Sequence, residues 1–369
     1  MRIAIDARLV SYAVGGISQY TVRLINALAG LRTGHDILVL ESQKMGNDFP
    51  WPDEVRRVKM ITPPHNRFEQ ITLPMELLRI PTDLLHSPDF IPPFRYRSRS
   101  VITIHDLAFL RFPHLLTTES ASYYGQINKA VKRADQIIAV SHSTSQDILD
   151  LLDVDPQKVT VVYSAAAPEC RPLTDTEKQE RRKRLGLPDR FVLFVGTLEP
   201  RKNLPTLLEA FLRVWQEHRV PLVVVGGKGW LYERVFMTLE RLRFTEEQVH
   251  LVGTVPSHQL ADYYGCATCL VMPSLYEGFG LPALEAMACG TPVVVSNVSS
   301  LPEIVGDSGL QVSPEDVEGL AEALIRLLAD HELRRKLGEM ALRRAASFSW
   351  DRTARETLAV YQRAVSASQ

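Results

Sequence analysis

Two acidic residues bracket a glycine-containing loop in the second half of the chain, in a pattern suited to ligand binding. Glu277 and Glu285 flank Gly278-Phe279-Gly280-Leu281, and Pro282 follows where proline favours the first turn of a helix. We expect Glu285 in that first turn and the amides of residues 280–283 to be unpaired helix N-terminal donors, which bind phosphate. Because carboxylates accept hydrogen bonds from hydroxyl groups, the loop predicts a ligand resembling a nucleotide sugar. The alternative is that Glu285 only interacts with the helix dipole and Glu277 is solvated.

A basic pair lies in a second loop. Arg201 and Lys202 stand just before a predicted amphipathic helix, with Asn203 as the expected N-cap and Pro205 in the first turn. Positive side chains are unfavourable at a helix N-terminus unless an anion is bound there. The pair therefore predicts that Arg201 and Lys202 neutralise a diphosphate. The alternative is a surface ion pair with Glu199.

The first half of the chain contributes two weaker candidates. His105 and Asp106 end a predicted strand, where they could contact a sugar hydroxyl or orient an acceptor; the alternative is a local hydrogen bond within a turn. Gly15 and Gly16 begin the first predicted helix, where they would let the backbone approach a phosphate or a sugar.

These loops must be positioned by strands, and short runs rich in Val and Ile alternate with helical segments throughout the chain. This alternation is typical of parallel sheets covered by helices, so the predicted fold class is α/β with two doubly wound domains. The Pro- and Ala-rich stretch 164–172 is the expected linker, and the helical segment from Trp350 could pack on either domain. The predicted strands are 3–5, 37–40, 101–104, 136–140 and 159–163, then 191–195, 222–225, 249–252, 268–272 and 293–296.

Other motifs exclude several site types. The first loop lacks Gly-x-Gly-x-x-Gly, which disfavours a nicotinamide dinucleotide, and residues 226–229 lack the spacing of a Walker loop and predict a strand-end turn. Cys266 and Cys269 have zinc-like spacing but no accompanying Cys or His pair. We therefore expect no metal site and no cofactor.

Composition narrows the class of protein. The chain has 369 residues with 42 Lys and Arg against 43 Asp and Glu, and a net charge of -1 gives no global field for nucleic acid. Four cysteines and the lack of a leader-like start fit the cytoplasm. Any membrane contact should be peripheral, and the basic run 95–99 beside the apolar residues 90–94 is the candidate for contact with the inner membrane surface or a lipid diphosphate acceptor. The alternative is a solvated basic face.

The loops at 196–203 and 277–285 resemble those of the retaining glycosyltransferases of family 4, the group 1 glycosyltransferases. The resemblance implies the GT-B fold, in which two Rossmann-like domains face each other across a cleft. It implies a first domain of residues 1–167, joined by the helix 350–369, and a donor-binding domain of residues 168–349. The opening segment and residues 15–20 look most like bacterial mannosyltransferases.

The same resemblance implies roles for individual residues. Arg201 and Lys202 would hold the donor diphosphate, Glu285 the ribose and Glu277 the transferred sugar. Gly15 and Gly16 would contact the donor phosphate, and His105 would lie near the donor sugar. The remaining implied contacts are the backbone of Gly253, Thr254 and Val255 at the base, and residues 278–281 in the donor loop.

The leading expectation is a hexosyltransferase that moves mannose from GDP-mannose to a glycan or lipid-linked hydroxyl with retained configuration and without a metal. Same-face attack is favoured, and double displacement stays open. The alternatives are transfer from a UDP-sugar, a glycosidase that uses Glu277 and Glu285 as acid and base, and a non-catalytic nucleotide-sugar-binding protein.

Overall fold

A computed structural model of the protein describes residues 1–12, 15–46, 49–113 and 123–366. Contacts divide the chain into two compact units. The first unit comprises Met1–Ser164 together with the chain from Ser349 onward, and the second comprises Ala165–Phe348. The expected linker 164–172 contains no helix or strand, and every residue in it is described.

The described residues of the first unit form a seven-stranded sheet in the order β3-β2-β1-β4-β5-β6-β7. Every neighbouring pair is parallel. Chain order reverses direction on either side of β1, which makes the sheet doubly wound. The strands are β1 (Arg2–Asp6), β2 (Asp36–Ser42), β3 (Val55–Met60), β4 (Leu84–Ser87), β5 (Arg99–Ile104), β6 (Gln136–Ala139) and β7 (Val159–Val161).

Helices cover both faces of this sheet. They are α1 (Gly16–Gly30), α2 (Glu69–Leu77), α3 (Ala108–Arg111), α4 (Ile127–Arg133) and α5 (His142–Leu151). The central strands are almost wholly buried because both of their faces are covered. The edge strand β3 is less buried than the central strands. Its Arg56 is exposed, and Arg57 and Lys59 contact the buried carboxylate of Glu41.

The second unit has a six-stranded sheet in the order β10-β9-β8-β11-β12-β13, again with parallel neighbours throughout. Its strands are β8 (Val192–Val195), β9 (Leu222–Val225), β10 (Val249–Gly253), β11 (Cys269–Met272), β12 (Val293–Ser296) and β13 (Leu310–Val312). Its helices are α6 (Asp175–Leu185), α7 (Leu204–His218), α8 (Glu233–Leu242), α9 (Ser257–Cys266), α10 (Leu281–Ala288), α11 (Leu301–Val305), α12 (Val317–Ala329) and α13 (His331–Ala345).

The last helix, α14 (Trp350–Ser366), packs within the first unit. Its apolar face, which includes Ala354 and Val360, joins the core that also contains Ile3 and Leu24. The hydroxyl of Tyr361 lies 2.7 Å from Nδ1 of the fully buried His86. The apolar face of this amphipathic helix thus packs in the core of the first unit.

All ten predicted strand segments overlap strands of the structure. The strands β3, β4 and β13 lie outside the predicted segments. Because ligands of open parallel sheets bind at the carboxyl ends of the strands, the loops that follow β8, β9, β10 and β11 position the candidate site of the second unit.

Candidate active site

The basic pair lies on a short turn after β8. Arg201 and Lys202 belong to the 3-10 turn Pro200–Lys202, and α7 begins two residues after Lys202. Asn203 occupies the predicted N-cap position in a left-handed conformation (φ 58), but its side chain accepts no hydrogen bond from the amides of the helix. Its Nδ2 instead donates to the carbonyl oxygens of Pro273, at 3.0 Å, and Pro314, at 2.7 Å. Asn203 therefore anchors the basic loop to the loop that follows β11.

Both basic side chains contact one buried carboxylate. Lys202 Nζ lies 2.6 Å from Glu277 Oε1, and Arg201 Nη1 lies 3.3 Å from Glu277 Oε2 and 3.0 Å from the carbonyl oxygen of Tyr276. Burial alone would raise the pKa of Glu277, but the charges of Lys202 and Arg201 outweigh it and hold that pKa below its usual value. Glu277 is therefore ionised at neutral pH.

Glu199 adds a second carboxylate to this cluster. Its Oε1 accepts from Arg201 Nη2 at 2.8 Å, so the ion pair considered as an alternative does form, but in the interior rather than on the surface. Burial raises the pKa of Glu199, although Arg201 and Lys202 oppose that shift. Two carboxylates and two cations therefore share one small volume at the carboxyl edge of the sheet. We call Glu199, Arg201, Lys202 and Glu277 the charge cluster.

Backbone contacts fix the loop that carries Glu277. The Leu275 amide donates to the carbonyl oxygen of Arg201 at 2.8 Å, and the Glu277 amide donates to Ser299 Oγ at 2.9 Å. Ser300 Oγ donates to the Glu277 carbonyl oxygen at 2.9 Å. The sequence analysis does not select either serine, and the signal that could have found them is their position within four residues of the end of β12, the strand next to β11.

The helix that follows departs from expectation in two respects. Helix α10 begins at Leu281, so Glu285 lies in its second turn and not in its first. The Ala283 amide donates to the carbonyl oxygen of Gly280 at 3.0 Å and is not the unpaired donor expected, and Pro282 has no N–H. Gly280 adopts a left-handed conformation (φ 96), and a Cβ there would come within 2.7 Å of Leu301. The first helical turn therefore offers fewer amides than expected.

Glu285 is nevertheless buried beside an aromatic hydroxyl. Its carboxylate faces the fully buried Tyr264 of α9, whose pKa is raised well above the usual value by burial and by the charge of Glu285. Phe279, also buried, packs edge-on against Phe348 with ring centroids 6.1 Å apart. The segment 278–281 is thus anchored by the packed ring of Phe279 and is followed by the buried carboxylate of Glu285.

Three adjacent strand ends pack their backbones closely at this edge. A Cβ on Gly226, after β9, would lie 1.9 Å from the carbonyl oxygen of Gly196, after β8. The Gly226 amide donates to the Gly253 carbonyl oxygen at 2.9 Å, at the end of β10. Residues 226–229 are the predicted strand-end turn. Gly253, with Thr254 and Val255 after it, therefore lies on the same edge of the sheet as the basic loop.

In the first unit, His105 follows β5 and is held in one orientation. Its Nε2 donates to the carbonyl oxygen of Pro88 at 3.0 Å, and its ring packs edge-on to Tyr20 with centroids 4.8 Å apart. Burial lowers the pKa of His105, so the ring is neutral at pH 7 and Nδ1 is its acceptor. Asp106 Oδ1 accepts from the Ala108 amide at 3.0 Å, which is the local turn contact weighed as its alternative role.

Gly15 and Gly16 begin α1 as expected. Gly15 is the extended N-cap residue, and a Cβ on either glycine would meet no described atom within 4 Å. Packing among the described residues therefore does not require glycine at these positions.

A second group of buried charges in the first unit was not anticipated. Arg8, 1% exposed, contacts Asp6 at 2.6 Å and Glu69 at 2.5 Å. The exposed His65, four residues before Glu69, lies at the edge of this group and contacts the carboxylate of Asp89 after β4. The available signal was the pair Asp6-x-Arg8 at the end of the buried strand β1, since charged side chains at the carboxyl end of a parallel strand point to a site.

The described residues offer little for a metal. Among them, no group of three or more His, Cys, Asp and Glu side chains could hold a metal ion. Cys266 Sγ donates to the Lys178 carbonyl oxygen at 3.8 Å, and burial raises the pKa of Cys269 to about 12. Asp153 and Asp155 form an Asp-x-Asp pair before β7, and each carboxylate already has a partner within the chain. Asp153 contacts Lys132 at 3.1 Å, and Asp155 accepts from the Gln157 amide at 2.9 Å.

The basic run 95–99 does not carry the expected apolar surface. Phe90, Ile91 and Tyr96 are buried in the cores of the first unit, and Arg99 contacts Asp135 at 2.8 Å. These apolar side chains therefore cannot enter a membrane. No helix within the described residues is both long and apolar enough to cross a bilayer.

Comparison with known proteins places this geometry in a family. The model described as Glycosyl transferases group 1 matches residues 175–344, and the model described as Glycosyltransferase Family 4 matches residues 14–169. The O-antigen chain mannosyltransferase B of Escherichia coli is 28% identical, over 98% of this chain and 100% of that protein.

Solved structures agree in fold. The sucrose-phosphate synthase of Thermosynechococcus elongatus superposes with a TM-score of 0.82 at 24% identity, covering 100% of both chains. HepE of Anabaena, solved with UDP-glucose, gives a TM-score of 0.76 at 19% identity, covering 98% of this chain and 99% of that one. Both units have the parallel, Rossmann-like sheets of the GT-B fold. The chain therefore belongs to the group 1 glycosyltransferases of family 4.

Proposed function

We propose that this glycosyltransferase moves a mannosyl group from GDP-mannose to a hydroxyl of a glycan or lipid-linked acceptor. The observation that carries the proposal is the buried contact of Lys202 and Arg201 with Glu277 at the carboxyl edge of the second sheet. The choice of mannose is supported by the 28% identity to a mannosyltransferase that covers almost the whole chain.

Arg201 and Lys202 are proposed to stabilise the leaving diphosphate. The barrier to transfer lies in breaking the bond between sugar and phosphate, and negative charge grows on the leaving oxygen as that bond breaks. Both cations are held by packing and by ion pairs within the chain itself, with side chains that are 14% and 12% exposed. Their positions therefore need little reorganisation during the reaction. This charge stabilisation would replace a divalent metal, so we expect a metal-independent enzyme.

Glu277 is proposed to bind hydroxyls of the transferred sugar. Each of its oxygens accepts one basic side chain, and a carboxylate oxygen has room for a second donor. Glu277 can therefore accept sugar hydroxyls without breaking either ion pair. Glu285 would accept from the ribose, and the backbone of residues 278–281 would pass beside the diphosphate.

We propose further contacts with the donor. Nδ1 of neutral His105 would accept from a hydroxyl of the donor sugar, and the backbone at Gly15 and Gly16 would approach the donor phosphate. Residues 253–255 would contact the base through their backbone. Asp106 is assigned to sugar binding only through its position beside His105, because its carboxylate already closes a turn.

Retention of configuration is proposed to follow same-face attack, with the leaving phosphate taking the acceptor proton. The carboxylate assigned to the sugar, Glu277, is held in its ionised form by two cations, which weakens it as a nucleophile. The same lowered pKa disfavours Glu277 as the general acid of a glycosidase, a role that needs a raised pKa. Double displacement is the alternative route to the same product.

A second candidate donor is a UDP-sugar. It is favoured by the likeness in fold to HepE, which was solved with UDP-glucose. A protein that binds nucleotide sugars without turnover is the remaining alternative, and only an activity measurement separates it from an enzyme.

The test combines donor binding with product analysis. Thermal unfolding is measured with GDP-mannose, UDP-glucose and UDP-N-acetylglucosamine, because a ligand that binds the folded state raises its apparent stability. Transfer to an acceptor panel is then followed with and without EDTA, and the anomeric configuration of the product is read by NMR. Stabilisation by GDP-mannose with an EDTA-insensitive, retained product supports the proposal. Stabilisation by UDP-sugars alone, an inverted product, or tight binding without transfer would each overturn the corresponding part.

A further inference from the structure

Charged side chains line the point in the first sheet where the strand order reverses. Strand β1 lies between β2 and β4, and the connections that leave β1 and β4 run to opposite sides. Such a reversal opens a crevice at the carboxyl ends of the two strands, where open α/β sheets bind their ligands. Asp6 and Arg8 stand at the end of β1, and Asp89 follows β4 by two residues. The charge cluster lies at the equivalent reversal of the second sheet, between β8 and β11.

The register of the sheet brings a buried serine beside Asp6. Ile5 pairs with His86, so Asp6 and Ser87 are the next neighbours along β1 and β4. Side chains alternate along a strand, and Leu85 packs in the core beneath α2, so Ser87 faces α2 as well. Ser87 is 2% exposed, and its Oγ has no hydrogen-bond partner among the described residues. Because buried hydroxyl groups are nearly always hydrogen-bonded, this one marks a place that a polar ligand would complete.

Arg8 is a permanent cation at this crevice, and its donors are already used. Its Nε and Nη2 donate to Asp6 at 2.8 and 2.6 Å, and Nη2 also donates to Glu69 at 2.5 Å. Its Nη1 donates to the carbonyl oxygen of Thr62 at 3.0 Å. Arg8 therefore neutralises carboxylates of the protein and has little left for a bound anion.

Asp89 keeps an open acceptor position. Its Oδ2 contacts His65 Nε2 and accepts from the Tyr123 hydroxyl at 3.3 Å, while Oδ1 has no partner among the residues that the structure describes. The side chain is 17% exposed, so a ligand can reach the carboxylate. The preceding residue, Pro88, accepts from His105 Nε2 at 3.0 Å. Asp89 therefore lies beside the histidine proposed to contact the donor sugar.

We propose that the carboxylate of Asp89 binds hydroxyl groups of the acceptor, and that the crevice selects an acceptor whose bound sugar is uncharged and carries no phosphate. The inference rests on the proposed function and adds the chemical class of the acceptor. A carboxylate oxygen accepts from hydroxyl groups, which a neutral sugar supplies and a phosphate dianion does not.

The charge of the crevice argues against a phosphorylated acceptor. Asp6, Glu69 and Asp89 contribute three carboxylates, and among the described residues Arg8 and His65 are the cationic partners in contact with them. A bound phosphate would face this acidic excess, and like charges placed together lower affinity. An ammonium group fits less well than a hydroxyl, because it would compete with His65 for Asp89.

Binding of matched sugars tests the proposal. Dissociation constants are measured by saturation-transfer NMR, with and without GDP, for the methyl α-glycosides of mannose, glucose and galactose and for their 6-phosphates. We expect at least one neutral glycoside to bind about tenfold or more tightly than its own 6-phosphate. The difference should narrow as salt is added, because the repulsion is screened. Methyl 6-amino-6-deoxy-α-mannoside is the cationic comparison.

Substitution of Asp89 by Asn supplies the second measurement. It should weaken binding of the neutral glycoside about tenfold, from the loss of a hydrogen bond to a charged group, and should narrow the preference over the 6-phosphate about threefold. A merely structural role would lower Tm and leave that preference unchanged. Asp150→Asn, which changes an exposed aspartate of α5, is the matched control and should alter neither affinity nor preference.

Four results would overturn the proposal. They are no saturation transfer to any neutral glycoside, a 6-phosphate that binds as tightly as its neutral partner, wild-type affinity and preference in Asp89→Asn, and tenfold tighter binding of the amino sugar than of the neutral mannoside. The last result would assign the crevice to a cationic acceptor. These measurements need no transfer and no GDP-mannose, whereas failure of the proposed function would appear as no stabilisation by GDP-mannose and no product. The two failures are therefore distinguishable.

Discussion

Substitution of Lys202 by Met separates a catalytic role of the charge cluster from a structural one. The ammonium group lies 2.6 Å from Glu277, and the two side chains are 12% and 7% exposed. Removing one partner of a buried ion pair costs about 3–5 kcal/mol when the other charge is left alone. Arg201 remains beside Glu277, so we expect a loss of about 2 kcal/mol in the free energy of unfolding. For a unit of this size, that loss lowers Tm by roughly 4–8 °C.

The catalytic effect should be larger than this stability effect. If Lys202 stabilises charge on the leaving diphosphate, its removal should lower kcat/KM by roughly 10²–10³, the scale of losing one transition-state donor. The assay is transfer from GDP-mannose at a temperature well below both melting transitions. Lys336→Met, which removes an exposed lysine of α13, is the matched control and should change neither quantity.

The double variant Lys202→Met with Glu277→Gln decides between the two roles. It removes the buried carboxylate together with Lys202 and leaves Arg201 paired with Glu199, so most of the lost stability should return. Activity should stay low, because the diphosphate would still lack its cation and the sugar would lack its carboxylate. Recovery of both stability and activity in the double variant, or near-normal kcat/KM in Lys202→Met alone, would refute a role for Lys202 in catalysis.

Three further predictions follow from other contacts. Glu277→Ala should reduce transfer more than it reduces the affinity for GDP measured by calorimetry; equal losses would contradict a contact with the sugar. Gly226→Ala should destabilise the protein by more than about 2 kcal/mol in urea unfolding, because the added Cβ would lie 1.9 Å from the Gly196 backbone. The control is Gly30→Ala, whose added Cβ has no described atom within 4 Å, and it should be neutral or slightly stabilising. Burial lowers the pKa of His86 from 6.5 to about 3, so between these pH values the unfolded chain binds a proton on His86 that the folded chain does not. The contribution of His86 to stability should therefore fall as the pH drops from about 6.5 to 3. Titration of the His86 ring above about pH 5 in an NMR experiment would contradict this.

The sequence predicted the buried strands well and the polar ones poorly. Strands such as β9 and β11 are continuous apolar runs because both faces of a parallel sheet are covered, and such runs are legible without a structure. Strand β3 reads Val-Arg-Arg-Val-Lys-Met, and its pairing with β2 and with Glu41 is what makes it a strand. Strand β4, Leu84–Ser87, ends in the polar residues His86 and Ser87, and its burial arises from neighbours distant in sequence.

In the candidate site, too, some residues could be predicted from the sequence and others could not. Residue types and spacing selected Arg201, Lys202 and Glu277, which the structure brings into contact. Ser299 and Ser300 were not selected, because their contact with the Glu277 backbone depends on the pairing of β11 with β12. Helix boundaries were also less legible than helix existence, and Glu285 accordingly falls one turn later than expected.

Carboxylates of the protein itself supply the negative charge that the sequence predicts beside Arg201 and Lys202. Two cations before a helix predict a bound diphosphate, because a helix N-terminus disfavours positive charge. In the structure Glu199 and Glu277 supply that negative charge, so the charge cluster is close to neutral and the second unit can bury it without a ligand. An uncompensated cation is therefore not what supports a diphosphate site. The support comes from membership of the family and from the acceptor positions left on Glu277, and these make the double variant a sharper test than loss of either cation alone.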